Sequence, residues 1–547
     1  MYDLLIHNGR IVDGTGKAAY QGAVAIEGDV IVGVGDVSGP ARRTIDAGGR
    51  VIAPGFIDPH THMDLFLKFY PDGLPVINYG VTTIVIGDCG ASCAPVPDNA
   101  EALDVLVKYL KRVLDNYIEP DTFEWSTFPE YLANLEGNVG VNVGALVPHS
   151  PVRLSVMGMA AVERAADADE IQLMVNVVTE AWEAGAIGFS TSPPGGPALH
   201  SDTPSTFAEL SETIALAEAV VHNGGLYQNN GSVQITNPDS EVYAMAQAVR
   251  GTHLINEWRH FPDKLEVSKA LGNIMEDLTQ QGTKSYGVVV PYTHLTRCGA
   301  ADFLPFNHLE EWKALPKEAG PFSEALMNPD VRTRLRAASK GQWQVDRWSS
   351  IVIRDVGNPE DKRWVRHNIE QAAAATGQEP LDFALDLLAR NVGSVSFVFW
   401  GFRGNNDLDM LSEAIVSPQS VIGTDAGAHL GNFFFYGAPA RLLGYWSRER
   451  GLLSMEAAVH KLTGFNAEVL GTKRGWLEVG RPADVVVFDP DTIDDGFDDV
   501  LPPDWIDDAE VHRQPTGIDL VVVNGTVKVD HGEVQKERTG KVRRWEL

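Results

Sequence analysis

The sequence predicts an α/β fold: a (β/α)₈ TIM-like barrel that carries a small β-sandwich domain built from both termini. The chain has 547 residues, of which 44% are hydrophobic, which suits a large globular core. Short apolar segments alternate with helical patterns through the middle of the chain, whereas both ends consist of short strands and tight turns. We therefore expect a β-domain from residues 1–54 and 475–547 and a barrel from residues 55–474.

The two ends of the chain carry the strands of the predicted β-domain. Near the N-terminus, apolar or alternating segments broken by turns such as Asn8-Gly9 lie at 4–7, 10–13, 23–27 and 30–34. Near the C-terminus, similar segments cover 483–489 and 520–527. Neither end has enough strands for a stable sheet by itself, so we expect the two ends to pair.

The middle of the chain shows the repeated strand-then-helix pattern of a parallel sheet. Buried strands are predicted at 81–86, 141–147, 187–190, 286–290, 396–399 and 421–423, and helices at 171–184 and 207–223. One long mixed segment, at about 294–345, breaks this pattern. We interpret it as a lid inserted over the site, and the alternative is a surface excursion without a function.

Composition excludes several classes of function. The formal net charge of −30 argues against nucleic acid or an anionic membrane surface as a partner. Apolar runs stay below the ~18–20 residues of a membrane span, and the N-terminus lacks the pattern of a signal peptide. Three cysteines are too few for a disulfide framework, which favours the reducing cytoplasm. A homo-oligomer is compatible with the sequence.

The segment 53–62 runs through an apolar strand into His60 and His62. Alternate residues of a strand point to the same side, so the two imidazoles lie side by side. Such a pair at a strand end is suited to binding one metal ion. The alternative is a half-buried strand that carries two histidines by chance.

Other polar clusters follow predicted strands, where barrel enzymes place their chemistry. Cys89 follows the strand at 81–86 and can present a thiolate to a metal, although a small buried cysteine is the alternative. Asp425 ends the strand at 421–423 and faces the predicted barrel mouth, with a helix N-cap as the alternative. The segment 254–260 is also loaded with polar groups.

Several motifs resemble one known family. The segment 54–62 is similar to the metal-binding opening of the amidohydrolase superfamily. The segments 80–90, 185–191 and 480–489 resemble elements of its N-acyl-D-amino-acid deacylase (D-aminoacylase-like) branch. The resemblance covers nearly the whole chain. It implies a barrel with a terminal β-domain and hydrolysis of a linear amide, most plausibly in an N-acyl-D-amino acid or a related N-acyl amine.

The chain departs from the family pattern at two strand ends. Asn230 and Glu257 stand where the family has histidine ligands, and Arg259 stands where it has a lysine that holds the substrate carboxylate. A carboxylate oxygen also binds zinc, so Glu257 can replace one imidazole. Arg259 can pair a carboxylate bidentately. One metal ion is therefore favoured over two.

The resemblance implies a mechanism. A divalent metal, most plausibly Zn²⁺, is held by His60, His62 and Asp425, with Cys89 and Glu257 contributing, and it activates a water molecule. Asp425 acts as general acid and base.

Three further residues complete the implied site. Arg259 and Tyr292 hold a small-molecule N-acylated substrate by its carboxylate. His149 donates to the oxyanion or orients the substrate, with a buried structural histidine as the alternative.

Other functions on the same scaffold stay open at this point. The first is a cyclic amidase of the hydantoinase or lactamase kind, which often uses a carbamylated lysine, but the strands at 81–86, 141–147 and 187–190 contain no lysine. The second is a metal-dependent lyase on a similar barrel. The third is a non-catalytic binding protein with a degraded metal site, which the replaced histidines suggest.

Overall fold

The computed structural model describes most of the chain. The described residues are 1–114, 120–193, 203–230, 241–256, 258, 265–293, 295–300, 303, 305–316, 318–341, 345, 347–401, 408–427, 435–497 and 514–542. The strands are β1 Tyr2–Ile11, β2 Tyr20–Glu27, β3 Val30–Gly35, β4 Ala41–Asp46, β5 Val51–Pro54, β6 Phe56–Asp58, β7 Val81–Ile86, β8 Asn142–Pro148, β9 Gly188–Thr191, β10 Leu226–Asn229, β11 Thr252–Ile255, β12 Lys284–Val289, β13 Leu295–Gly299, β14 Ile351–Asp355, β15 Ser396–Trp400, β16 Ser420–Ile422, β17 Val485–Phe488, β18 Ile518–Val523, β19 Thr526–Asp530 and β20 Glu533–Val534.

Helices lie between most of the barrel strands. They are α1 Phe66–Phe69, α2 Ala100–Leu114, α3 Phe128–Leu135, α4 His149–Met157, α5 Ala168–Ala184, α6 Leu210–Val221, α7 Glu241–Ala248, α8 Leu265–Gln280, α9 Glu310–Lys313, α10 Ala319–Met327, α11 Pro329–Ser339, α12 Ile369–Thr376, α13 Pro380–Arg390, α14 Leu408–Val416, α15 Ala438–Arg441, α16 Met455–Leu462 and α17 Gly464–Leu470. α15 continues into a π-helix over Leu442–Glu449. None of the helices within the described ranges is both long and apolar enough to cross a membrane.

A parallel barrel forms the centre of the molecule, as the sequence predicts. Within the described residues, eight strands pair in the order β16-β12-β11-β10-β9-β8-β7-β6. Their inward side chains form an apolar layer to which each strand or its immediate flank contributes one residue. The layer consists of Ile57, Val85, Leu146, Ile187, Leu226, Leu254, Val288 and Val421.

Hydrogen bonds between the first and last barrel strands close the barrel. The backbone N–H of Asp425 donates to the His60 carbonyl over 3.1 Å, and the N–H of His62 donates to Ala426 over 2.7 Å. On the helix side, the Asn466 side chain donates to the carbonyls of Ile57 (2.8 Å) and Ile422 (2.9 Å). The seam between β6 and β16 is therefore fixed where the two predicted histidines and Asp425 lie.

The chain ends form the additional β-domain. Nine strands of the described ends hydrogen-bond into one sheet, in the order β20-β19-β18-β17-β5-β1-β2-β3, with β4 beside β1. N- and C-terminal strands meet where β5 pairs with β17. The expected pairing of the two ends is thus confirmed.

A buried polar junction fastens the β-domain to the barrel. Asp484 beside β17 accepts hydrogen bonds from Asn142 of β8 (3.2 Å) and from the backbone N–H of Asn524 (2.8 Å). Asp484 also pairs with the Arg474 guanidinium. All the polar groups of this junction lie below one-tenth exposure.

The long insertion has its own core. In the described part of the chain, β13, β15 and β14 form a small antiparallel sheet between barrel strands β12 and β16. Phe397 and Phe399 of β15 pack into the insertion's own apolar cluster, whereas Val398 packs against the barrel cluster. The strand predicted at 396–399 forms, but in this sheet and not in the barrel. The segment predicted as a lid at about 294–345 is therefore part of a longer insertion, because its sheet is completed only by β15.

Candidate metal centre

His60 and His62 lie just beyond β6 at the mouth of the barrel. Both side chains are buried, with exposures of 0% and 2%. The Nε2 atom of His60 lies 3.6 Å from the sulfur of Cys89. Among the described residues, His60, His62 and Cys89 form a group whose donor atoms all lie within 4.8 Å of one another. The two predicted histidines and the predicted cysteine therefore meet.

The Cys89 loop follows β7 and is held by neighbouring strands. Cys89 has a φ of 56°, a left-handed conformation that L-residues rarely adopt without support. Its backbone N–H donates to Gln228 Oε1 (2.7 Å), and its carbonyl accepts from the Ser192 hydroxyl (2.7 Å). The next N–H, of Gly90, donates to Ser190 Oγ (3.0 Å). These bonds from β9 and β10 fix the direction of the Cys89 side chain.

Asp425 follows β16 and faces both histidines. Its Oδ1 lies 3.5 Å from Nε2 of His60 and 3.5 Å from Nε2 of His62. Asp58 fixes the adjoining backbone, because it accepts from the N–H groups of Thr424 (3.1 Å) and His60 (3.2 Å). Two imidazoles, a thiol and a carboxylate from β6, β7 and β16 thus converge.

Asp88 orients His60 from behind. Its Oδ1 lies 3.1 Å from Nδ1 of His60, and its Oδ2 accepts from the N–H of Thr61 (3.2 Å). A carboxylate on one ring nitrogen leaves the other nitrogen facing the cluster, which is the usual arrangement behind a metal-binding histidine.

Electrostatics at the cluster favour a bound cation. Burial raises the pKa of Asp58 to about 7, and it also raises the pKa values of Asp88 and Cys89. These acidic groups crowd a site whose neighbouring bases are imidazoles, so a divalent cation would compensate their charge.

The two histidines differ in their pKa shifts. Burial lowers the pKa of His62 to about 4. Burial also lowers that of His60, but Asp88, Cys89 and Asp425 outweigh it and raise the pKa well above its ordinary value. The donor set of imidazole, thiolate and carboxylate suits zinc, so the residues present fit the predicted metal.

Amide side chains occupy the ends of β10 and β11, next to Cys89. Asn256, just after β11, donates from Nδ2 to the Cys89 sulfur over 3.1 Å. Gln228 of β10 places Nε2 3.9 Å from the same sulfur. Asn230 lies beside them, 4% exposed. Amides are poor zinc ligands, so the described donors to a metal lie on the β6, β7 and β16 side.

His149 lies on the helix side of the barrel and not at the cluster. Its Nδ1 is 2.8 Å from Thr191 Oγ1, and its Nε2 is 2.8 Å from Glu212 Oε1. Glu212 also pairs with Arg153, and all these side chains are buried. Thr191 points away from Ser190 and Ser192, which contact the Cys89 loop. Both ring nitrogens of His149 therefore contact Thr191 and Glu212 on the helix side of the barrel.

Of the other residues predicted to bind substrate, Tyr292 contacts Asp495 and Phe435. The Tyr292 hydroxyl donates to Asp495 Oδ2 over 2.6 Å, and its ring stacks on Phe435 with 5.2 Å between centroids. Glu257 and Arg259 lie outside the described residues.

Sequence reasoning assigned no role to several residues that the structure brings to the site. Asp58 lies in segment 54–62, two residues before His60, and Asp88 lies in segment 80–90, one residue before Cys89. The sequence alone therefore shows that both aspartates are close to candidate ligands. Asn256 lies in the polar segment 254–260, but neither its contact with Cys89 nor that of Gln228 could be predicted, because the closed barrel brings β10 and β11 near Cys89.

Comparison with known proteins shows which family the chain resembles. A model of the amidohydrolase family matches residues 43–346, and a second model with the same description matches residues 405–528. N-acyl-D-glutamate deacylase of Alcaligenes xylosoxydans xylosoxydans is 30% identical over 542 residues, covering 96% of this chain and 93% of that protein. D-aminoacylase of the same organism is 29% identical over 507 residues, covering 90% and 89%.

A solved structure matches the whole fold. N-acyl-D-glutamate deacylase from Bordetella bronchiseptica, complexed with zinc and a phosphonate inhibitor that mimics the tetrahedral intermediate of the reaction, superposes with a TM-score of 0.69. The match covers 99% of both chains at 26% identity.

Proposed function

This chain belongs to the amidohydrolase family, in its D-aminoacylase-like branch, and from that premise we propose that it is a metal-dependent hydrolase of N-acyl-D-amino acids. The bond it cleaves is a linear, non-peptide carbon–nitrogen amide, and its substrate is a small N-acylated molecule. The observation that carries the proposal is the convergence of His60, His62, Cys89 and Asp425 at the mouth of the barrel.

The proposed metal is one zinc ion. His60, His62 and Asp425 would hold it, with Cys89 as a further ligand, and Glu257 stays a candidate ligand from the sequence. The support for one ion is that Gln228, Asn230 and Asn256, at the ends of β10 and β11, carry amides, which bind zinc poorly. When bound, the ion acidifies a water molecule and polarises the acyl carbonyl.

Asp425 is the proposed general acid and base. Its carboxylate lies 3.5 Å from both imidazoles, so a water molecule held between them would be within its reach. Its backbone is fixed by the bond to the His60 carbonyl and by Asp58. Asp425 would accept the proton of this water and pass it to the leaving amine.

Substrate positioning is divided between direct and indirect contacts in this proposal. Arg259 remains the proposed partner of the substrate carboxylate, since a guanidinium pairs it bidentately. We propose that Tyr292 and His149 act indirectly, because their polar atoms already bond Asp495, Thr191 and Glu212.

The test is a panel of N-acetyl-D- and N-acetyl-L-amino acids, assayed by release of the free amino acid with zinc-loaded protein. We expect turnover of a D-enantiomer by the wild type and no measurable turnover by Asp425→Asn. Thermal unfolding of Asp425→Asn should match that of the wild type. Turnover retained by this variant would remove Asp425 as the base, and inactivity of the wild type on the whole panel would reject the proposed substrate class.

We also infer a cytoplasmic location. The support is that Cys89, Cys93 and Cys298 are all free thiols. Fractionation of the source cells with an antibody to the protein tests this, and recovery outside the cytoplasmic fraction would contradict it.

A further inference from the structure

We propose that Asn256 and Gln228 are positioning residues for the thiolate of Cys89, with Asn256 tuning its electron donation to the metal and Gln228 fixing its backbone. The proposal rests on the metal-dependent function above. It assigns a role to amides that lie next to Asn230 and Glu257, the positions where the family has histidine ligands. In this arrangement the described amides at the ends of β10 and β11 support a ligand that follows β7.

The geometry of Asn256 is that of a hydrogen-bond donor to sulfur. Asn256 comes two residues after Leu254, a member of the apolar layer inside the barrel, so its side chain lies on the inward face. It is 4% exposed, and its Nδ2 lies 3.1 Å from Cys89 Sγ. An amide oxygen at this place would repel the sulfur lone pairs, so the amide presents its N–H group.

Gln228 acts on the backbone of the same residue. Its Oε1 accepts from the Cys89 N–H (2.7 Å), and its Nε2 donates to the carbonyl of Asn229 (3.0 Å). These two bonds fix the orientation of the amide and leave Nε2 facing the sulfur at 3.9 Å. Because Cys89 is held in a left-handed conformation, the bond to its N–H stabilises the geometry that aims the sulfur at His60.

The physical consequence concerns the charge on sulfur. A hydrogen bond to a thiolate stabilises its lone pairs, so the sulfur donates less strongly to a metal. Removing the Asn256 donor makes the Cys89 sulfur easier to oxidise and lowers the energy of sulfur-to-metal charge transfer. Removing the Gln228 oxygen, which accepts from the backbone N–H of Cys89, instead leaves this ligand less firmly held. Metal binding is then weaker.

The test uses protein stripped of metal and loaded with one equivalent of Co²⁺, whose absorption reports thiolate coordination without turnover. In Asn256→Leu, the sulfur-to-cobalt band should move to longer wavelength. In Gln228→Met, cobalt affinity should fall by about 10- to 100-fold. Asn229→Leu is the matched control, because the Asn229 side chain bonds His253 on the opposite face of β10, and it should change neither quantity.

The outcomes separate this inference from the proposed function. A band that does not move in Asn256→Leu, or no thiolate band in the wild type, would overturn the inference even if the enzyme hydrolyses its substrate. A shifted band in a protein inactive on every N-acyl-D-amino acid would uphold the inference and reject the function. Should Asn256→Leu not fold, Asn256→Ala removes the donor without adding apolar bulk, and the same band shift is expected.

Discussion

The buried network behind β9 gives a quantitative prediction about stability. Glu212 accepts from His149 over 2.8 Å and pairs with Arg153, and both partners are 0% exposed. Glu212→Gln keeps the shape of the side chain but removes its charge, which leaves the Arg153 guanidinium buried without its carboxylate. Removing one member of a buried pair costs about 3–5 kcal/mol. Because the glutamine oxygen can still accept one bond, we expect a loss of about 3 kcal/mol in the free energy of unfolding.

Urea unfolding followed by tryptophan fluorescence measures this loss. Glu478→Gln is the matched control, since its pair with Arg481 (3.0 Å) is exposed and should contribute less than about 1 kcal/mol. The double variant Arg153→Met with Glu212→Leu removes both charges and should recover much of the stability. A loss below about 1 kcal/mol in Glu212→Gln would refute the reasoning. A double variant that loses as much stability as Arg153→Met and Glu212→Leu lose separately, added together, would also refute it.

The same network predicts a pH dependence. Burial raises the pKa of Glu212, but its bonds to His149 and Arg153 outweigh burial and lower the pKa below its ordinary value of 4.5. A carboxyl whose pKa is lower in the folded state contributes stability above its unfolded pKa and loses it as the pH falls. The difference in stability between wild type and Glu212→Gln should therefore be full above pH 4.5 and shrink in more acidic solution.

Three further predictions follow from the junctions and the metal centre. Elemental analysis of protein purified without chelator should find one zinc per chain. Dialysis against a chelator should abolish turnover until zinc is restored. Two tightly held ions would contradict the proposed one-ion centre. Tyr292→Phe should leave kcat close to the wild type and cost about 1–3 kcal/mol, because Asp495 loses a buried donor; a large fall in kcat would instead place Tyr292 on the substrate. Asp484→Ala should cost about 3–5 kcal/mol by leaving Arg474 unpaired, and an unchanged thermal transition would show that the domain junction does not depend on this carboxylate.

Local pattern was enough to predict much of the architecture. Both chain ends consist of short strands and tight turns, so a β-domain from both termini was expected, and the pairing of β5 with β17 confirms it. The sequence also indicated that His60, His62, Cys89 and Asp425 lie close together. Each follows an apolar strand, and parallel strands of a barrel bring their C-terminal ends to one rim.

Tertiary structure decided whether each polar side chain faces the inside of the barrel or the surrounding helices. Successive side chains of a strand alternate between these two sides. Ser190 contacts the Cys89 loop, whereas Thr191 contacts His149, so the structure places His149 on the helix side of the barrel. The sequence by itself determined the fold class and placed the candidate ligands at strand ends, since both depend on local periodicity. The support of Cys89 by Asn256 depends on barrel closure between segments 167 residues apart, a contact that local periodicity does not specify.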